Sequence, residues 1–439
     1  MVKKIILEAR EMKRCAYVNA VLLDGTETME SKTGLVLFTE GEMISAIVPA
    51  EKADLTGCDI VDLSGKYLLP GLINLHVHLP ASGMPKKKES DPKKLVRLMT
   101  SNGLLASFGK KLCAGYAKQQ LLSGTTTIRT VGGVADWDTW VRDSVNAGKL
   151  DGPRVLAGNM AISVPGGHMA GSLAYEATSP AEAVDYVNRI AAEKPDLIKL
   201  MITGGVLDAT VKGEPGVLKM PPEMVKAACD AAHANGLAVA AHVESPEGVR
   251  VALENGVDTV EHGAKPDAEI LRLFKDRHAA LVTTLSPALP YALFDRSVSH
   301  ASEMAQFNGM VVFQGIQDCA KACLEAGVPV GLGTDTGCAY VTHTGTWREP
   351  LLFQKYCGVS NAFALYTATL GNAKIARIDN VTGSLEVGKA ADMIAVEKNP
   401  LEDLHALRDV KLVVARGKRY DQPKVKRDPQ VEEELDKFM

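Results

Sequence analysis

A chain of 439 residues, 46% hydrophobic and 23% charged, has enough apolar material for one large domain with an accessory module, or for two to three smaller ones. Its 49 Lys and Arg against 53 Asp and Glu leave a net charge of -4, so no basic surplus is available to hold a polyphosphate and nucleic acid is excluded as a partner. The eight cysteines are scattered with no Cys-x-x-Cys, the stretch Met1 to Glu11 has only a three-residue apolar run, and no uncharged apolar stretch approaches about eighteen residues; the expectation is a cytoplasmic protein with reduced thiols and no membrane span.

From Ala16 to Leu69, short apolar or alternating runs (Ala16 to Leu23, Leu35 to Thr39, Met43 to Val48, Asp59 to Leu63) are separated by Gly, Asp and Glu turns. These read as strands too few to close a core alone. The same texture returns from Gly383 to Val396 and from Val410 to Arg416. The expectation is a small β-sandwich domain built from both chain ends, residues 1–69 and 384–439, with residues 70–383 inserted between them.

The insert alternates short apolar runs with helical stretches, which predicts a parallel sheet with crossover helices in an α/β fold. Eight strand candidates stand in order: Leu72 to Leu79, Thr125 to Val131, Arg154 to Ile162, Leu197 to Ile202, Ala238 to Val243, Thr259 to His262, Ala280 to Leu285 and Val328 to Thr334. That number suits a (β/α)8 TIM barrel. Pro221 to Gly236 reads as a helix with prolines at its start and a glycine at its stop, and Gly124, Gly148, Gly236, Gly256 and Gly327 each stand where a helix would end before a strand.

In such a barrel, chemistry collects at the carboxyl ends of the strands. His76 and His78, two apart at the end of the first strand, point to the same side, so one metal site can take both. The fourth strand holds Lys199, the fifth ends in His242, the sixth in His262 after Glu261, and Asp335 follows the eighth. Lys199 in an apolar strand is either a modified ligand or is paired with an inner acid, and Asp335 in Thr334-Asp335-Thr336-Gly337 also suits a turn. His168, in a glycine-bearing loop after the third strand, is placed to reach a substrate carbonyl. Tyr291, His343 and Arg348, on the segments after strands seven and eight, are candidates for gripping a substrate carboxylate.

The set His76-x-His78, Lys199, His242, His262 and Asp335 resembles that of the amidohydrolase superfamily, and Thr382 to Asp392 is similar to the segment where those enzymes re-enter the β-sandwich. Within it, the chain looks most like the branch of imidazolonepropionase-like enzymes and prolidase-like dipeptidases. The resemblance implies two divalent ions, zinc foremost, bridged by a carbamate formed on Lys199 from carbon dioxide. It implies a metal-bridging hydroxide attacking the amide of a small dipeptide or N-acyl amino acid, with Asp335 moving the proton. It also implies a homo-oligomer. A mononuclear deaminase or cyclic-amide hydrolase of the same superfamily, and a non-catalytic structural homologue, are the alternatives.

Where the prolidase-like branch often has a tyrosine or histidine two residues after the strand-five histidine, this chain has Glu244. On His242's strand face it would point to the barrel mouth and favour a cationic group of the substrate. The alternatives for Glu244 are a salt bridge to a nearby Lys or Arg, or an acceptor for a metal-bound histidine.

Overall fold

The computed structural model describes residues 14–85 and 91–439. The stretch Met1 to Glu11, read above as lacking a signal-peptide core, lies outside the described residues. No helix among them is long and apolar enough to cross a membrane.

The centre of the molecule is α/β, with parallel strands alternating with helices. Leu197–Met201, Ala238–Val243, Thr259–His262, Ala280–Thr283 and Val330–Leu332 pair parallel in chain order. Leu72–Val77, Thr125–Thr130 and Arg154–Leu156 form a second parallel set. The expected glycine stops hold: Gly124, Gly148, Gly236, Gly256 and Gly327 all have positive φ, between 67° and 99°, a conformation that ends a helix without a Cβ penalty. Helix starts are capped by side chains, Ser179 on Glu182 N, Ser245 on Gly248 N and Asp267 on Ile270 N.

The third strand differs from expectation. Arg154 to Ile162 is broken into Arg154–Leu156, which pairs with Thr125–Thr130, and Ala161–Ser163, which pairs with Leu197–Met201. Asn159 sits between them at φ 55°, its amide donating to Glu193 and Thr139 and its carbonyl accepting from Thr139 N, so the kink is pinned. Gly133 N donates to Asn159 O at 2.7 Å and Asp196 N to Ala157 O at 2.8 Å, which joins the two strand sets across the break. A further short strand, Ala174–Glu176, pairs parallel with Ala161–Ser163.

The other junction, between the first and last of these strands, is held chiefly by two asparagines. Asn372 donates to Ile73 O at 2.7 Å and Leu332 O at 2.8 Å, and accepts from Leu332 N. Asn74 donates to Thr334 Oγ1 and accepts from Thr334 N at 3.0 Å. Beyond them Asp335 N reaches His76 O and His78 N reaches Thr336 O. The chains approach so closely that a Cβ on Gly333 would lie 2.4 Å from that of His76.

Strands from both chain ends do meet. Tyr67–Pro70 runs antiparallel to Met393–Val396 in a six-stranded sheet that also holds Val21–Leu23, Ser31–Lys32, Val410–Ala415 and Lys418–Asp421. A four-stranded sheet holds Arg14–Val18, Leu35–Glu40, Met43–Pro49 and Asp59–Asp62. The expected run Ala16 to Leu23 is thus split between sheets. Asn19 at φ 61° turns the chain, and its amide donates to Asp62. Tyr17, Leu37, Leu68, Met393, Leu412 and Val414 from the two sheets share one buried cluster, whereas Leu69, Ile394 and Val413 face the main core. The helix Pro429–Asp436 pairs with Arg348 of the helix Arg348–Cys357 and with Arg408 of the carboxy-terminal segment.

Asn372→Ala leaves the N–H of Leu332 and the carbonyls of Ile73 and Leu332 unpaired in a buried seam. The expected loss is about 3 kcal/mol of unfolding free energy, read by urea denaturation.

Candidate metal centre and active site

The carboxyl ends of the strands bring His76, His78, Lys199, His242, His262 and Asp335 into one buried cluster. The His76 ring centroid lies 5.3 Å from that of His78 and 4.9 Å from that of His262, and His242 lies 4.6 Å from His262. Asp335 Oδ1 is 3.0 Å from Nε2 of His78 and 3.5 Å from Nε2 of His76. Ligand atoms of His76, His262 and Asp335 lie within 4.8 Å of one another, as do those of His242, Glu244 and His262.

Two backbone outliers aim these groups. In a regular strand, Glu261 and His262 would face opposite sides. His262 has φ 68°, which turns its ring to the same mouth as His76 and His242 although Glu261 points inward. Asp335 has φ 54°. Left-handed conformations at non-glycine residues cost about 1–3 kcal/mol each and concentrate where a site needs them.

Each imidazole is oriented through one nitrogen, which leaves the other as a donor. His78 Nδ1 donates to Gly132 O at 2.8 Å, and His242 Nε2 donates to Gly204 O at 3.1 Å. His262 Nδ1 meets Thr284 Oγ1 at 2.6 Å. His76 Nδ1 meets Glu261 Oε2 at 2.8 Å, and burial drives its pKa down to about 4, so the ring is neutral and fit to coordinate. Burial likewise pushes His242 and His262 well below the ordinary histidine value.

Lys199 is fully buried, and its Nζ has no hydrogen-bond partner among the described residues. Burial lowers its pKa to about 8, against the pull of Glu261 and Asp335. No inner acid is hydrogen-bonded to it among the described residues. Glu244 Oε2 is likewise buried without a hydrogen-bond partner among the described residues. Four imidazoles, a carboxylate and a buried amine form a donor set whose chemistry fits divalent cations.

His168 is drawn to the same place. Its Nδ1 pairs with Asp208, its ring stacks on His242 at 4.1 Å and 8°, and Asp208 is held in turn by Gly205 N. Tyr291 sits close enough to Cys338 and Asp335 that, with burial as the main cause, its phenol is driven far above the ordinary value.

Two of the candidates have structural partners. Arg348 is buried against Glu432 at 2.9 Å and Asp436 at 3.1 Å, with its guanidinium over Trp347, so it anchors the carboxy-terminal helix. His343 donates from Nε2 to Ala81 O at 2.8 Å and stacks on Tyr116 at 4.6 Å, which makes it a loop anchor.

Sequence reasoning passed over four residues that hold the site. Arg129 joins Glu261 at 2.7 Å, Leu75 O at 2.8 Å and Thr259 Oγ1 at 3.2 Å, and Glu261 fixes His76. Asp208 fixes His168. Glu349 accepts from Leu285 N at 2.5 Å and Ser286 N at 3.1 Å, which fixes the start of the helix that follows Thr284. Arg129 also reaches a cavity of about 550 Å3 at the opposite, amino-terminal ends of the strands, lined by Leu197, Ala238, Thr259, Ala280 and Val330.

A family model for the amidohydrolase family matches residues 67–420. Among solved structures, a candidate prolidase from Bifidobacterium longum superposes with a TM-score of 0.86 at 34% identity, covering 97% of this chain and 99% of that one. A Xaa-Pro dipeptidase with bound methionine superposes with a TM-score of 0.81 at 28% identity, covering 93% and 100%. Ochratoxinase from Aspergillus niger is 26% identical over 427 aligned positions, covering 87% of this chain and 83% of the relative. The chain belongs to the amidohydrolase family, with a TIM-barrel-like α/β fold and prolidase-like structural neighbours. It is a hydrolytic enzyme acting on carbon–nitrogen bonds.

Arg348→Ala strips Glu432 of a buried partner. The expected outcome is a loss of about 3 kcal/mol in unfolding free energy with KM unchanged; a raised KM at unchanged stability would support the substrate role.

Proposed function

We propose that the protein is a binuclear metal-dependent hydrolase that cleaves the amide bond of a small dipeptide or N-acyl amino acid. The carrying observation is the partnerless buried amine of Lys199 among four histidines and Asp335. A mononuclear deaminase has no use for such an amine. The name of the Xaa-Pro dipeptidase neighbour supports amide chemistry on a substrate that carries an amino acid. The eight strand positions, with hydrogen bonds at both junctions, support a closed (β/α)8 barrel. The cluster shared by the two sheets supports a composite β-sandwich at residues 14–69 and 384–421.

His76, His78 and Asp335 would hold one divalent ion and His242 and His262 the other, zinc being suited to imidazole and carboxylate donors. Lys199 would join them as a carbamate, formed when its neutral amine attacks carbon dioxide and releases a proton. With its pKa lowered to about 8, the free amine is available near neutral pH. Bound ions lower the pKa of water toward neutrality and polarise the scissile carbonyl.

The side chains do the rest. Asp335, with Oδ1 against two histidines, accepts the proton of the attacking water and returns it to the leaving nitrogen. His168, held by Asp208 through Nδ1, keeps its Nε2 beside His242 to hydrogen-bond the substrate carbonyl. Tyr291 closes the site on the side of Cys338.

Elemental analysis after reconstitution with zinc and bicarbonate should return two ions per chain. Lys199→Ala should fold, lose one ion and most activity, and regain a little activity with added short carboxylic acids; one ion in the wild type would favour the deaminase reading.

Asp335→Asn should lower kcat by about a hundredfold or more, the range for removing a general base, while substrate binding persists. An unchanged kcat in steady-state assays would move the proton-transfer role to another group.

A further inference from the structure

We propose that Glu244 is itself a metal ligand, its carboxylate binding the ion held by His242 and His262. This assignment rests on the binuclear reading and deepens it.

Three observations carry it. Ligand atoms of His242, Glu244 and His262 lie within 4.8 Å of one another, a spacing that one ion spans at the usual ligand distances of about 2.0–2.2 Å. Each imidazole spends one nitrogen on the protein, His242 Nε2 on Gly204 O and His262 Nδ1 on Thr284, which leaves His242 Nδ1 and His262 Nε2 for a ligand. Glu244 Oε2 is buried and accepts no hydrogen bond.

A buried carboxylate is costly. Burial and the neighbouring acids Asp335 and Asp208 push the Glu244 pKa up to about 8, and the backbone N–H of Val206 offsets only part of that. The residue is not free to swing away. Glu244 N donates to Thr203 Oγ1 at 3.1 Å, and the loop after the fourth strand presses on its backbone so tightly that a Cβ on Gly216 would lie 2.3 Å from the carbonyl of Glu244. A cation between Glu244 and the two histidines would offset that penalty and hold the carboxylate ionised.

Charge balance points the same way. Two divalent ions bring four positive charges, and the Lys199 carbamate and Asp335 offset two of them. Glu244 offsets a third at the ion whose histidines are neutral. With its carboxylate on the metal, Glu244 is unavailable as an anchor for a substrate amine, so free-amine and N-acylated substrates compete on equal terms at that position.

The test uses the full-length enzyme loaded with cobalt(II) and bicarbonate, beside Glu244→Gln and Glu244→Ala, with far-UV circular dichroism reporting folding. Cobalt affinity is read by competition with a chromophoric chelator and the coordination shell by the visible spectrum. The expected result is a 10–100-fold weaker second cobalt in both variants, an altered spectrum, and a smaller metal-induced rise in Tm than in the wild type. The Gln variant conserves shape, so it keeps the test meaningful if the Ala variant folds poorly. Two cobalts held with wild-type affinity and spectrum by Glu244→Gln would overturn the assignment; a KM raised for free-amine dipeptides alone would then make Glu244 an amine anchor. Wild-type stoichiometry, measured first, separates failure of the binuclear reading from failure of this one.

Discussion

The site depends on one carboxylate that never touches the substrate. Glu261 is wholly buried among the parallel strands, and its two oxygens are divided between Arg129 at 2.7 Å and His76 Nδ1 at 2.8 Å. Burial opposes its ionisation, but Arg129, His76 and Lys199 reverse that and hold the carboxyl far below the ordinary value. The pair is tolerated because Arg129 spends its remaining donors on Leu75 O and Thr259 Oγ1, so no charge is left bare. One ion pair thereby ties three strands together and sets the tautomer of His76.

Backbone strain at His262 and Asp335 is tolerated for a related reason. The strands that carry them are fixed from below by close packing, and the seam between the first and last strands is fixed by amide side chains. Asn74 bonds the backbone on both sides of that seam, at His76 N and Thr334 N, so the first histidine and the approach to Asp335 are positioned by one side chain. The residues that join the first and last strands are the residues that place the candidate metal donors.

This explains what the sequence disclosed. Strand ends and glycine stops follow from local periodicity and φ preferences, and a His-x-His, a lysine and two more histidines at successive strand ends reveal a shared mouth without any long-range information. The anchoring contacts of Arg348 and His343 are not legible in the sequence, because their partners, Glu432, Asp436, Ala81 and Tyr116, lie far away along the chain and nothing local announces them. The breaks at Asn19 and Asn159 had a usable signal, since asparagine tolerates left-handed φ. Arg129 and Glu261 had one too: each is a charged residue in a strand, as Lys199 is, and period-two alternation puts Glu261 on the inner face with Thr259.

The loop after the fourth strand is where fold and chemistry meet most directly. Its Gly204 carbonyl orients His242, its Asp208 orients His168, and its Gly216 confines Glu244. The loop is held from outside by the fully buried Asn308 of the helix Glu303–Glu325, which accepts from Gly213 N at 2.7 Å and donates to Val211 O at 3.2 Å. Lys212 adds an exposed pair with Glu303, worth little by itself. Three groups at the mouth are therefore set by one segment whose firmest attachment is a single amide on a neighbouring helix. A displacement of that helix would act on His242, His168 and Glu244 together, so the geometry of the metal centre belongs to the packing of the outer helices as much as to the strands that carry its donors.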